Sequence, residues 1–245
     1  MASPREPADR VHVFDDAEAL ARAVSEAFVA SAAESIERRG EFRVALSGGR
    51  TPGRAYEILG RLPRGRVDWA RVAVLFADER AVAPDDPESN YRLVRETLID
   101  PAGIEADRVH RLRGEADDLD AAAREAEPDF ERPLDLLLLG IGPDAHIASI
   151  FPGSPTIGDR GRRVVAVHDS PKPPPRRLTI TPRVIEEARR VWVLATGREK
   201  GGAVAAALEG EVGSLLVPAK LAGLAHRSEW YLDRDAAAEL QQAAE

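Results

Sequence analysis

The chain has 245 residues, and its 34 lysine and arginine residues against 42 aspartate and glutamate residues give a formal net charge of −8. The absence of cysteine excludes disulfide frameworks, thiolate catalysis and cysteine-ligated zinc, and the acidic balance argues against nucleic-acid binding. No apolar run approaches the roughly 20 residues that span a bilayer, and the first residues lack a signal-peptide core. We therefore expect a soluble cytoplasmic protein, without membrane or obligate protein partner, whose residues 1–245 form one domain.

Strand and helix patterns alternate along nearly the whole chain. Short runs rich in Val, Leu and Ile predict strands at residues 11–14, 42–47, 72–77, 134–140, 163–167, 177–181, 190–196 and 229–233. Helical periodicity predicts helices at about 16–38, 52–61, 89–99, 116–127, 182–189, 198–208 and 234–244. Several strands are apolar almost throughout, which is typical of strands covered by helices on both faces. The alternation predicts an α/β fold with an open, mostly parallel sheet.

Ligands of such sheets bind outside the carboxyl ends of the strands, and three motifs lie directly after a predicted strand. The first is Ser47-Gly48-Gly49, followed by Thr51 as a candidate helix cap and Pro52 in the first helical turn. Two glycines let a ligand approach the backbone closely, and the free N–H groups of a helix start favour an anion. The motif predicts a phosphate-binding turn, with an ordinary tight turn as the alternative.

The second motif places Asp78, Glu79 and Arg80 at the end of a strand, and Ser89 follows as a candidate helix cap. A solvated acidic loop with an internal salt bridge is the ordinary interpretation of such a charge cluster. A buried Asp–Arg pair beside a pocket would instead hold a fixed cation near an anionic substrate. Both interpretations stay open from the sequence.

The third motif, GIGPDAHIASIFPG, also has two interpretations. Gly140, Gly142 and Ala145 fit the relaxed dinucleotide fingerprint G-x-G-x-x-[GA]. Two features count against a dinucleotide site. Asp144 would place a carboxylate against the diphosphate, and the motif does not open the first strand–helix–strand unit of the chain.

The alternative makes Asp144 and His146 the active part of this loop. Asp144 would cap a short helix, and His146 would lie in its first turn, at the carboxyl end of a strand. A structural histidine is the competing interpretation, and a metal site shared with Asp78 is a weaker one because no spacing requires it. Arg177 opens one further predicted strand and Lys200 follows another; both could reach the same cleft and bind a phosphate, with solvated surface cations as the alternative.

Lysine is rare in this chain, because only Lys172, Lys200 and Lys220 stand among the 34 basic residues. Such a bias is typical of GC-rich genomes, but it marks each lysine for inspection. Lys172 lies in the segment PKPPP at residues 171–175, whose prolines cannot continue a helix or a central strand. The segment is predicted to be an exposed or lid-like connection.

Five motifs together resemble the 6-phosphogluconolactonases in their order and spacing. They are SGGRTP, DERAVAPDDPESNY, GIGPDAHIASIFPG, RLTIT and GREKGGAV, and EWYLDRDAAAEL is similar to the C-terminal ending of that family. The resemblance implies hydrolysis of 6-phospho-D-glucono-1,5-lactone to 6-phospho-D-gluconate in the oxidative pentose phosphate pathway, with neither cofactor nor metal. It also implies a three-layer α/β/α fold shared with glucosamine-6-phosphate deaminases and ribose-5-phosphate isomerases.

The resemblance also implies site residues, position by position. His146 matches the catalytic histidine, which would act as a general base on water, and Asp144 accompanies it. The positions that match ligand contacts are Ser47, Gly48, Gly49, Arg80, Arg177 and Lys200. Arg80, backbone N–H groups, or both would stabilise the oxyanion. Arg177 and Lys200 would hold the phosphate.

Two positions depart from the family pattern. The family usually has Gly where this chain has Ala145, and a small hydroxyl residue where it has Arg50. Ala145 would be strained if its φ were positive and harmless if the segment were helical. Arg50 would either add a cation to the pocket or point to solvent.

Two other functions compete with the lactonase interpretation. Amino-sugar-phosphate deaminases and isomerases share the Asp-x-His core but continue with FNEPG, whose glutamate takes part in the chemistry, whereas this chain reads IFPG at 150–153. A sugar-phosphate sensor would carry a DNA-binding module, for which we expect no room before residue 11 or after residue 233. A degenerate binding protein would also be expected to have lost His146.

Overall fold

The computed structural model describes residues 9–241, whose strands form two sheets. The strands are β1 Asp9–Phe14, β2 Phe42–Leu46, β3 Val72–Phe76, β4 Asp78–Arg80, β5 Val109–His110, β6 Leu136–Gly140, β7 Val164–Val167, β8 Arg177–Ile180, β9 Val191–Ala195 and β10 Ser228–Asp233. The main sheet is parallel and has the order β1-β10-β9-β6-β2-β3-β5. The small sheet is antiparallel and has the order β4-β8-β7.

Helices flank the main sheet. They are α1 Ala17–Arg39, α2 Arg50–Gly60, α3 Asn90–Val94, α4 Asp100–Ala102, α5 Leu119–Ala126, α6 Pro182–Glu187 and α7 Gly201–Leu208. The π-helical segment 95–99 joins α3 to α4. Local sequence explains the bounds of α1, because the Asp16 side chain accepts a hydrogen bond from the N–H of Ala19 and Gly40 ends the helix with a φ of 81°.

The prediction of an α/β fold with an open, mostly parallel sheet is confirmed. Every residue of β2, β3 and β9 is buried, which agrees with strands covered on both faces. All the predicted strands are present, and each bound lies within two residues of its predicted place. The sequence patterns missed β4 and β5, which have only three and two residues and so offer too little periodicity.

The predicted helix at 234–244 is wrong within the described part of the chain. Residues 234–239 form turns, and residues 242–244 lie outside the described range. The Asp233 carboxylate accepts hydrogen bonds from the N–H groups of Gly197 and Ala236, so it bends the chain directly after β10. Within residues 9–241, no helix is long and apolar enough to cross a membrane.

The topology brings the three sequence motifs together. In the main sheet β9, β6, β2 and β3 are consecutive neighbours, and because they are parallel their carboxyl ends meet at one edge. The motif after β2, the motif after β3 and the loop after β6 therefore lie side by side. In the small sheet, Arg80 of β4 pairs with Arg177 of β8, which adds both arginines to this edge.

Close packing between α2 and the π-helical segment predicts opposite effects for two glycines of the same helix. A methyl group on Gly60 would overlap the carbonyl oxygen of Thr97, whereas one on Gly53 would meet only the Leu93 side chain, at 3.4 Å. We expect Gly60→Ala to lower the free energy of unfolding by about 1–3 kcal/mol, because overpacking against backbone outweighs the gain in helix propensity. Gly53→Ala should leave it unchanged or raise it by up to about 1 kcal/mol. Urea denaturation measures both, and equal effects would contradict the packing described.

Candidate active site

A cleft of about 740 Å³ opens where β9, β6, β2 and β3 end, and we call it the carboxyl-edge cleft. Its wall contains the predicted histidine and all the predicted binding residues, which are Ser47, Gly48, Gly49, Arg80, His146, Arg177 and Lys200. Asp144 contacts His146. Lys172, which the sequence did not assign to the site, also lies in the wall.

Asp144 and His146 form a direct pair. The Nδ1 atom of His146 lies 2.5 Å from the Oδ1 atom of Asp144, and the imidazole packs on Phe151 with a ring-centroid distance of 4.6 Å. A charged carboxylate accepts the Nδ1 proton, and this assigns the tautomer in which Nε2 carries no proton. Within residues 9–241, Nε2 has no hydrogen-bond partner, so it is free to accept a proton from a molecule in the cleft.

The loop that carries this pair differs from the prediction. The short helix expected to begin at Asp144 is wrong, because the segment forms tight turns. The N–H of Gly142 donates to the carbonyl of His146 at 2.8 Å, and the N–H of Ala145 donates to the carbonyl of Gly142 at 2.9 Å. The turns place Ala145 and Ala148 at φ values of 62° and 48°, in the left-handed region. Each such residue costs roughly 1–2 kcal/mol, so Ala145 is strained where the family usually has glycine.

Gly142 is required by the side chains that pack against it. A methyl group at this position would overlap the imidazole of His146 and would lie 2.5 Å from the Oδ1 atom of Asp144. Gly140 is different, because a methyl group there would meet only the Gly48 carbonyl and Pro52, at 3.8 and 3.9 Å. The two glycines that suggested a dinucleotide turn therefore differ in role, and Gly142 makes room for the Asp144–His146 pair.

Lys172 stabilises the ionised form of Asp144. Its Nζ atom lies 2.9 Å from Asp144 Oδ1 and 3.3 Å from His146 Nδ1. Burial alone would raise the pKa of Asp144, but the hydrogen bonds and charges of His146 and Lys172 outweigh it and hold the pKa well below its usual range. Asp144 thus stays ionised. The sequence signal that pointed to Lys172 was the rarity of lysine, whereas its proline-rich setting suggested only an exposed connection.

Arg177 holds the segment that presents Lys172. Its side chain is buried, and burial lowers its pKa, opposed mainly by the charge of Asp78. Its Nε donates to the carbonyl of Pro174 at 2.9 Å, and one terminal nitrogen donates to the carbonyls of Lys172 and Pro173 at 3.2 and 2.9 Å. The other terminal nitrogen donates to Ser149 Oγ at 3.3 Å. Four of the five N–H groups are therefore used within the protein.

Lys200 has the opposite character. Burial lowers its pKa, the charge of Glu199 opposes this, and the positive charge of Lys172 lowers it further. Its ammonium group makes no ion pair with any residue that the structure describes, and it faces the cleft. A partly buried cation without a partner is suited to an anionic ligand.

The cleft is also lined by hydrogen-bond donors from the backbone and from a hydroxyl group. The Oγ atom of Ser47 is buried and has no partner among residues 9–241. The N–H groups of Gly48 and Gly49, directly before α2, are likewise unbonded in this part of the chain. The prediction that Thr51 caps α2 is wrong: Gly49 occupies the cap position, and the Thr51 hydroxyl contacts Thr196 Oγ1 at 2.6 Å. These unbonded donors are available to an anion or an oxyanion at the start of α2.

The second motif is a buried scaffold. Asp78 accepts hydrogen bonds from Ser149 Oγ at 2.7 Å and from Asn90 Nδ2 at 3.0 Å. Glu79 accepts from the backbone at the start of α3 and from Ser89, which caps that helix. Burial raises the pKa of Glu79, and these N–H and O–H donors oppose the shift. The contacts of Asp78 and Glu79 match neither interpretation of the second motif, a solvated acidic loop or a buried Asp–Arg pair.

Asn90 connects this scaffold to the first motif. A methyl group on Gly48 would overlap the Asn90 side chain, so glycine at position 48 permits the contact between the two motifs. Arg80 reaches out to the carbonyl of Glu88 at 2.7 Å, and its Nε atom is buried without a partner in the described range. No group of three or more His, Asp or Glu side chains in residues 9–241 is placed to hold a metal ion.

This fold and cleft define an α/β enzyme with an aspartate–histidine pair at the carboxyl edge of a parallel sheet. Comparison with known proteins agrees, because the family model described as glucosamine-6-phosphate isomerases/6-phosphogluconolactonase matches residues 15–231. The chain belongs to this family. The 6-phosphogluconolactonase of Mycobacterium tuberculosis strain H37Rv is 38% identical over 94% of this chain and 98% of its own length. That of Streptomyces coelicolor is 36% identical over 93% of each.

Solved structures show the same fold. A 6-phosphogluconolactonase from Trypanosoma brucei matches with a TM-score of 0.82 and 28% identity, over 95% of this chain and 98% of that one. A monomeric glucosamine-6-phosphate deaminase matches with a TM-score of 0.81 and 25% identity, over 94% and 99%. The three-layer α/β/α fold implied by the sequence resemblance is therefore confirmed.

The packing around Gly142 gives a test that is independent of any substrate. Gly142→Ala should force His146 and Asp144 apart, whereas Gly140→Ala should leave their hydrogen bond intact. In proton NMR spectra, we expect the downfield signal of the histidine Nδ1–H group to be lost in the first variant and kept in the second. Retention of that signal in a folded Gly142→Ala protein would contradict the geometry of the loop.

Proposed function

We propose that this protein hydrolyses 6-phospho-D-glucono-1,5-lactone to 6-phospho-D-gluconate, with His146 as the general base. The observation that carries the proposal is the Asp144–His146 pair: His146 lies in the wall of the carboxyl-edge cleft, and its Nε2 atom has no hydrogen-bond partner within residues 9–241. Family membership and relatives named 6-phosphogluconolactonase support the substrate. The step would belong to the oxidative pentose phosphate pathway and would need water but no cofactor.

In the proposed reaction, His146 Nε2 takes a proton from water as the water oxygen bonds to the lactone carbonyl carbon. The imidazolium that forms is stabilised by the Asp144 carboxylate at Nδ1. The tetrahedral intermediate then collapses, the bond from the carbonyl carbon to the ring oxygen breaks, and the imidazolium returns its proton to that oxygen. The product is a free carboxylic acid, which ionises at neutral pH.

The lysine beside the pair gives the carboxylate a second role. With Lys172 at 2.9 Å from Asp144, the carboxylate balances two cations when His146 is protonated. Lys172 therefore helps to keep Asp144 ionised, so that the carboxylate can stabilise the imidazolium.

Oxyanion and phosphate would be held by different walls of the cleft. The unbonded N–H groups of Gly48 and Gly49, with the Ser47 hydroxyl, are the donors best placed for one negatively charged oxygen group. We propose that Lys200 binds the phosphate, because among the cationic side chains of the cleft wall it alone has no hydrogen-bond or ion-pair partner within residues 9–241. Arg177 was expected to share this task, but its contacts with residues 172–174 favour a positioning role.

An amino-sugar-phosphate deaminase is the second candidate, since a deaminase shares the fold. Phe151 argues against it. In the sequence IFPG this aromatic ring stands where the deaminase motif FNEPG has its glutamate, and it packs on His146 and lies 5.5 Å from the guanidinium carbon of Arg177. This chain thus has a buried aromatic ring at the position where the deaminase chemistry needs a carboxylate.

The direct test is lactone hydrolysis, followed with a pH-stat on freshly generated substrate. We expect the wild type to exceed spontaneous hydrolysis clearly and His146→Ala to lose about 10²–10⁴-fold in kcat, the usual contribution of a general base. His168→Ala is the matched control, because His168 also contacts an aspartate, Asp120 at 3.0 Å, but lies outside the cleft. A wild type no faster than buffer would end the lactonase proposal, and a fully active, folded His146→Ala would end the role of His146.

The roles of Lys200 and Arg177 separate when two lactones are compared. For Lys200→Gln we expect kcat/KM to fall about tenfold or more with the phosphorylated lactone and much less with unphosphorylated gluconolactone, because one charge-assisted contact is lost. For Arg177→Gln we expect similar losses with both, since the disturbed Lys172 acts on the ring reaction. Lys220→Gln, outside the cleft, serves as the control. A loss confined to the phosphorylated lactone in Arg177→Gln would return Arg177 to the phosphate site.

A further inference from the structure

A second cleft, of about 570 Å³, lies at the opposite edge of the main sheet, and we call it the amino-edge cleft. It is formed by the end of α1 and by the residues directly before β6, β9 and β10, which are neighbouring strands. The five arginines of its wall are Arg38, Arg39, Arg189, Arg190 and Arg227. Strand β9, which has five residues, separates the two clefts by roughly 17 Å.

Positive charge exceeds negative charge in this cleft. Asp135 contacts both Arg39, at 2.8 Å, and Arg189, at 3.4 Å. Glu34 is likewise shared by two arginines, because it pairs with Arg38 at 3.0 Å and with Arg190 at 2.5 Å. Only Arg227 has a carboxylate that no other arginine shares, Glu229 at 2.9 Å.

Five arginines thus face three carboxylates, which leaves a surplus of two positive charges in a chain whose net charge is −8. Asp135 is almost fully buried and also accepts from the N–H of Arg43, so its capacity is largely used by Arg43 and Arg39. The side chains of Arg38 and Arg189 are the most exposed of the set and come from different elements of the wall, one from α1 and one from the residues before β9. Their unused N–H groups are available to a ligand between them.

We propose that the amino-edge cleft binds a compact multivalent anion carrying phosphate groups. Every residue of the wall is charged or polar, so recognition there rests on charge and hydrogen bonds and not on apolar contact. Arginine forks match the oxygens of a phosphate in bidentate geometry, and two exposed forks in one cleft suit an anion with two phosphate groups. The site is separate from the carboxyl-edge cleft and does not depend on the function proposed for it.

The experiment is a calorimetric titration with inorganic pyrophosphate at low ionic strength. The carboxyl-edge cleft also contains cations, so its contribution is removed first with the double variant Lys172→Gln/Lys200→Gln. We expect this variant to retain one pyrophosphate site. Adding Arg38→Gln and Arg189→Gln should weaken that site at least about tenfold, since two charge-assisted contacts are lost. Neither arginine change should unfold the protein, because Glu34 and Asp135 each keep a second arginine.

Arg22→Gln is the matched control in the same background. Arg22 and Arg38 both lie on α1, each pairs with a glutamate four residues earlier, and their side chains are 68% and 67% exposed. Arg22 lies outside the amino-edge cleft, so its removal should leave pyrophosphate affinity unchanged. Two results would overturn the proposal: no pyrophosphate binding to the Lys172→Gln/Lys200→Gln protein, or an equal loss of affinity with Arg22→Gln and with the Arg38/Arg189 changes.

Discussion

The site depends on one oxygen atom, Oδ1 of Asp144, which accepts hydrogen bonds from His146 and from Lys172. Because this carboxylate is ionised, it fixes the imidazole tautomer and leaves Nε2 without a proton. The remainder of the local structure serves to bring the two side chains to that oxygen. Gly142 provides the space, a tight turn sets the backbone of the loop, and Arg177 presents the segment that carries Lys172.

Two networks of buried side-chain hydrogen bonds support the cleft. One joins Arg177, Ser149 and Asp78, so the small antiparallel sheet is tied to the loop after β6. The other joins Asp78 to Asn90, whose side chain packs directly on Gly48 and thereby fixes the turn after β2. Charged residues that the sequence alone allowed to be solvated are thus buried, and their hydrogen bonds compensate for the cost of burial.

Much of this architecture could be predicted from the sequence, because apolar strands and amphipathic helices alternate with strong periodicity. The site residues that follow β2, β3, β6 and β9 were predictable because parallel topology brings the carboxyl ends of strands together, whereas Arg177 opens β8 of the antiparallel small sheet. The contribution of Lys172 was not, because it depends on how a proline-rich segment folds back across the sheet. The loop conformation at Ala145 was missed because helix capping by Asp144 and a tight turn use the same residue types. The contacts of Arg177 show why spacing alone cannot separate a ligand-binding arginine from one that holds a loop.

The two alanines with positive φ make the loop after β6 less stable than the sheet that carries it. Ala145 and Ala148 each raise the free energy of the functional conformation relative to relaxed alternatives, while the strands beneath keep their full set of hydrogen bonds. Local opening of this loop therefore needs less free energy than unfolding of the sheet. On heating, we therefore expect the arrangement around His146 to be lost at a lower temperature than the fold.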